Sequence, residues 1–117
     1  MSWRQSWLAR LIPTYGNWGG PGWTGGTREY LNWDKSAVDS LDVLFYIHDL
    51  GYFKSKCEAD KRRADIRLIT NLEALPQNSR KWLKSPASPF YAELYRTTAI
   101  WVFQAVAWVR SFHKCRD

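Results

Sequence analysis

His48 and Asp49 stand side by side in the run Asp39-Ser40-Leu41-Asp42-Val43-Leu44-Phe45-Tyr46-Ile47-His48-Asp49-Leu50-Gly51-Tyr52. An imidazole titrates near neutral pH and can take a proton from water, and a carboxylate is the anchor that a hard divalent cation needs. Upstream lies Tyr15-Gly16-Asn17-Trp18-Gly19-Gly20-Pro21-Gly22-Trp23, where glycines free the backbone to turn peptide carbonyls inward. A base, an anionic ligand and a set of peptide oxygens are the parts required for metal-assisted ester hydrolysis. Each part alone has a plainer use: glycines make linkers, and a single histidine on a helix stripe packs or faces water. Their succession within one short segment favours the chemical reading.

Two helices have to position these groups. Ser36-Ala37-Val38-Asp39 and the pair Asp39/Asp42 offer alternative N-terminal signals for a helix over 36–53, with Asp39 the favoured cap. Leu41, Phe45, His48 and Tyr52 follow at helical spacing and share one stripe, whereas Asp49 is turned by about 100° from His48. The imidazole and the carboxylate therefore address different neighbours. A second helix is expected over 58–75, with Asp65, Leu68, Ile69 and Leu72 inward and Lys61, Arg62, Arg63 and Arg67 mostly outward. The short connection makes the two helices antiparallel neighbours and lets Asp65 approach His48. Asp60 is the alternative orienting acid; its i+3 neighbour is Arg63 where that of Asp65 is Leu68, so Asp65 better fits a buried face.

The rest of the chain frames this pair. Trp3, Trp7, Leu8, Leu11 and Ile12 have the spacing of an amphipathic helix over 1–12, ended by Pro13. Residues 13–33 hold six of the seven glycines and read as loop. Pro76, Pro86 and Pro89 bracket a second loop around Trp82, and a last helix is expected over 90–113. Trp101, Ala105, Trp108 and Phe112 form its stripe, with Val102, Val106 and Val109 beside it, more apolar surface than one small core requires. That excess suggests a partner protein, a self-interface or lipid. With 117 residues the chain suits a single, mainly α domain. Cys57 and Cys115 are too few to read as a disulfide framework; a reducing compartment and an accidental pair are both open, and the two are treated as free thiols, with His113 and Cys115 in a tail.

A net charge of +6 attracts anions, either nucleic-acid phosphates or lipid headgroups. Eight tryptophans tilt the choice toward a membrane–water interface, although indoles also stack on unpaired bases. Trp3, Trp7 and Leu11 with Arg4 and Arg10, and Trp18 and Trp23 at the loop rim, are the candidates for lipid contact. Arg4, Gln5 and Arg10 interrupt the N-terminal segment, so no secretory signal is expected there. The longest uncharged run, Thr97 to Val109, is short of the roughly 20 residues a bilayer span needs. A soluble or peripheral protein is the expectation.

The glycine-rich segment, then Asp39-x-x-Asp42, then His48-Asp49-x-x-Tyr52, resembles the phospholipase A2 family in order and spacing. The likeness is to the compact, cysteine-poor domains of viral and bacterial proteins, in which an Ala-Asp-x-x-apolar motif on the next helix completes the site; Ala64-Asp65-Ile66-Arg67-Leu68 matches that motif. The resemblance covers residues 15–72, and Gly51 stands where secreted members carry cysteine. It implies a calcium loop whose Trp18, Gly20 and Gly22 carbonyls join the Asp49 carboxylate around Ca2+. It further implies that His48 is the general base, Asp65 its orienting partner, Tyr52 a hydrogen-bond donor to Asp65, and the Gly20 N–H a donor to the oxyanion.

The function implied is calcium-dependent hydrolysis of the sn-2 ester of a glycerophospholipid at a membrane surface. A lipid-binding domain of the same fold without turnover is the first alternative. A basic, Trp-rich single-strand nucleic-acid binder is the second, and no nucleic-acid partner is expected under the leading reading. The last helix is the candidate surface for homo-oligomer or partner contact.

Overall fold

The computed structural model describes residues 12–29, 31–113 and 115, and in them the chain is mainly helical. The amphipathic helix expected over 1–12 lies outside the described residues, Ile12 excepted. The first described helix, α1, spans Ser40–Lys54 and starts four residues later than the expected 36. Asp39 decides the start: its extended backbone breaks the helix and its carboxylate accepts the Asp42 amide at 2.8 Å, so residues 36–38 remain outside. Helix α2 spans Glu58–Ala74, and α3 spans Pro89–Arg110 with proline in its first turn, where a missing N–H is harmless. A short 3-10 turn, Ser79–Lys81, precedes α3 and is fastened to it by Glu93, which accepts from the Ser79 hydroxyl at 2.6 Å.

The three helices run antiparallel in sequence. Gly51 on α1 faces Ala64 on α2, and a Cβ added at Gly51 would come within 3.0 Å of the alanine methyl. A small pair at this level is what lets the helices approach closely enough for side chains one turn away to meet. Helix α3 packs along α2: Arg62 donates to the Ala107 carbonyl at 3.2 Å, and buried Arg96 donates to the carbonyls of Leu72 and Leu75, filling the C-terminal end of α2. The core gathers Leu41 and Phe45 of α1, Leu68 and Leu72 of α2, and Ala92 and Ala99 of α3, closed by Tyr15, Trp18 and Trp82.

Two expectations are corrected here, the end of the last helix and the state of the cysteines. The face of α3 turned to the core is the one bearing Ala92, Arg96, Ala99 and Ala107, while Trp101 and Trp108 are 73% and 65% exposed. Small residues allow close approach, so the alanine face packs and the bulky stripe is left outside. The last helix also stops at Arg110, three residues before 113, with Phe112 beyond it. Finally, Cys57 and Cys115 form a disulfide, with Cα atoms 5.2 Å apart, and are not free thiols. The fold brings the residue before α2 beside the tail after α3, a proximity that a separation of 58 in sequence conceals.

Candidate active site

Helix α1 carries the site on two adjacent stripes. Asp42, Phe45 and Asp49 recur at spacings of three and four, and the glycine-rich segment packs along this side. The fully buried carboxylate of Asp42 accepts the backbone N–H groups of Asn17 at 3.0 Å and Trp18 at 2.9 Å, together with that of Val38 at 2.9 Å. Burial pushes its carboxyl up from the ordinary value, and these three N–H groups pull against the shift. Gly19 lies over Phe45: a Cβ there would come 3.0 Å from the ring. Gly16 sits on the Asp42 carboxylate with φ of +52°, leaving no room for a side chain. The loop is thus pinned by Asp42 to the stripe that two turns later bears Asp49.

Within the loop, Tyr15 and Gly19 exchange both backbone hydrogen bonds at 2.8 Å, and Gly20 and Gly22 have φ of +119° and +67°. Those conformations are open to glycine and strained for other residues. Tyr15 extends beneath the loop to donate to Asp39 at 2.5 Å, while Tyr91 and Tyr95 of α3 donate to the carbonyls of Thr14 and Pro13. The N-terminal end of the glycine run is therefore fixed. Trp18 is 1% exposed, stacked on Trp33 and edge-on to Tyr46. It cannot be the lipid-facing ring expected at the loop rim, whereas Trp23 is partly exposed and donates to the Gly16 carbonyl at 2.8 Å.

The second stripe of α1 carries His48 and Tyr52, both turned toward Asp65 of α2. His48 Nε2 is 2.8 Å from Asp65 Oδ1, and the Tyr52 hydroxyl donates to the same oxygen. His48 is 6% exposed and Asp65 is fully buried. With Nε2 engaged on a carboxylate, the neutral ring carries its proton there and leaves Nδ1 as the acceptor. Nδ1 points to the Asp49 side, 3.9 Å from Asp49 Oδ1. Burial first, and the Asp65 carboxylate beside it, raise the Tyr52 phenol above its ordinary value and keep it a donor. Asp60 is elsewhere, paired with Arg63 and accepting the Lys56 amide at 3.0 Å.

One residue of this cluster was missed from sequence. Arg110, at the end of α3, donates through Nη1 to Asp65 Oδ2 at 2.9 Å and to the Tyr52 hydroxyl at 2.5 Å, and through Nε to Glu58 at 2.8 Å. Burial works against its charge, but Glu58, Tyr52 and Asp65 together outweigh burial and raise its pKa. A lone cation ending the uncharged run from Thr97 to Val109 was the available signal. Beside His48, between α1 and α2, a crevice of about 10 Å³ is bordered by Leu44, Ile47 and Asn71, room for one water at most.

The donors carried over from the resemblance suit a hard cation, since Trp18, Gly20 and Gly22 offer peptide oxygens and Asp49 a half-buried carboxylate. The Gly20 carbonyl also accepts the Trp23 amide at 3.2 Å. Among the described residues, Cys57, Asp60 and Cys115 also come together, but the two sulfurs there are bonded to each other. No family model, curated protein or solved structure matches this chain.

Proposed function

We propose that this chain is a calcium-dependent phospholipase A2 that hydrolyses the sn-2 ester of glycerophospholipids to a fatty acid and a lysophospholipid. One observation carries the reading: the His48 imidazole is braced by buried Asp65 across the helix pair, while Asp42 pins the glycine loop to the stripe of α1 that bears Asp49. A base oriented by an acid and a neighbouring oxygen-rich loop is the equipment for activating water. The phospholipase A2-like assignment of the fold belongs to this proposal.

His48 Nδ1 takes a proton from water as the oxygen attacks the ester carbonyl, and Asp65 stabilises the imidazolium that forms. The proton then passes to the leaving glycerol oxygen as its bond to the carbonyl carbon breaks, and because water is the nucleophile no acyl-enzyme is made. Trp18, Gly20, Gly22 and Asp49 would hold Ca2+, which when bound supplies a Lewis acid for the carbonyl oxygen. The Gly20 N–H donates to the same oxygen as negative charge develops on it. The exposed indoles Trp101 and Trp108 are the lipid-contacting surface in this proposal, since indole rings favour the headgroup level and the net charge of +6 favours anionic lipid.

The test is release of the sn-2 fatty acid from phospholipid vesicles, with calcium present and after chelation. Release that stops with the chelator is expected. Vesicle binding without release under either condition would instead identify a lipid-binding domain lacking turnover.

A further inference from the structure

We propose that Arg110 is a positioning residue for the dyad, the fixed counter-ion that holds the Asp65 carboxylate on His48 Nε2. The proposal rests on the assignment of His48 as the base, and its geometry involves only this chain's own side chains. Asp65 has no exposure to solvent, and a carboxylate removed from water needs hydrogen-bond donors, as Asp42 has in three amides, or a cation, as Asp65 has in Arg110. The neighbouring imidazole is a poor permanent counter-ion, because a base must spend its resting state uncharged. Arginine is charged at every working pH, so Arg110 supplies the compensation whatever proton the ring carries.

The division of the carboxylate fits this role. Oδ2 receives Arg110 at 2.9 Å, and Oδ1 receives His48 at 2.8 Å together with Tyr52. Arg110 also donates to the Tyr52 hydroxyl at 2.5 Å, so the phenol and the carboxylate are aligned by one guanidinium. Rotation of Asp65 away from the ring would break the contact on Oδ2 as well as the one on Oδ1. The guanidinium is itself anchored on two sides. Glu58, at the start of α2, takes Nε at 2.8 Å, and the Cys57–Cys115 disulfide ties the residue before Glu58 to the tail that follows Arg110.

Proton NMR of the calcium-free protein reads the His48 Nε2 proton at low field, and fatty-acid release gives kcat and KM. In Arg110→Ala the low-field proton is expected to disappear, with kcat lowered about a hundredfold and KM within about threefold of the parent. Arg110→Lys is expected to retain the proton. Free guanidinium should restore it to Arg110→Ala, entering by the groove of about 330 Å³ that Glu58, Val106, Val109 and His113 form around the Arg110 side chain. If Arg110→Ala does not fold, Arg110→Gln, which keeps a donor and loses the charge, carries the same expectation. A low-field proton that persists unchanged in whichever neutral variant folds overturns the proposal. The spectrum requires neither calcium nor turnover, so this outcome is separate from any failure of the lipolytic reading.

Discussion

At the scale of single residues, two buried aspartates do opposite jobs on one helix pair. Asp65 presents its oxygens to side chains and so can orient a reacting group; Asp42 presents its oxygens to three backbone amides and so builds a loop. Asp42→Asn replaces one acceptor by an N–H that must face another N–H, so stability should fall by about 1–3 kcal/mol. Urea unfolding measures that loss, and a midpoint equal to the parent's would mean that the amides are satisfied otherwise. The Asp65 contact was legible because Leu68 three residues on marked a buried face, and Asp60 was disfavoured by Arg63 at the same spacing. Arg110 was not legible, because its partners come from helices distant in sequence and periodicity within α3 does not report them.

At the scale of elements, the close approach of α1 and α2 depends on Gly51 and Ala64. Gly51→Leu should force the helices apart and cost about 1–3 kcal/mol, with the larger loss in ester release because His48 and Asp65 separate. Equal stability and activity in that variant would show that the pair tolerates a wider spacing. The Glu58–Arg110 contact that joins α2 to α3 gives a pH signature. Arg110 holds the Glu58 carboxyl below its ordinary value, so the pair's contribution is present above the unfolded pKa and lost as pH falls through the folded one. The urea midpoint of Glu58→Gln should lie below the parent's at neutral pH, and the difference should shrink and vanish as acid protonates the folded Glu58 carboxyl. A gap that persists in acid would assign it to packing. Helix boundaries were read to within a few residues where caps decide them, as at Asp39. The excess apolar surface expected on α3 is present, with Trp101 and Trp108 exposed, whereas the face that makes the contact was not singled out, because its alanines carry little hydrophobic signal.

At the scale of the molecule, the chain closes on itself through Cys57–Cys115 and leaves an aromatic face outside. Linking residues 58 apart restricts the unfolded chain by about 4 kcal/mol, so Cys57→Ser with Cys115→Ser should lower the melting temperature clearly. A melting temperature that is unchanged, and insensitive to reductant, would deny the bridge a stabilising role. Trp101→Ala with Trp108→Ala should weaken vesicle association while leaving stability unaltered, since both rings are exposed. Unchanged binding would remove α3 from the lipid surface. Among the described residues no helix is long and apolar enough to cross a membrane. The pairing of distant cysteines was beyond reach from composition, whereas the succession of glycine loop, His48-Asp49 and Asp65 was readable because it is local. The central claim is that His48 and the Asp49 loop serve one reaction, and sn-2 fatty-acid release with calcium present, comparing the parent with His48→Gln, tests it most directly. The account predicts at least about a hundredfold loss of turnover in His48→Gln with calcium binding retained; undiminished release from that variant would contradict it.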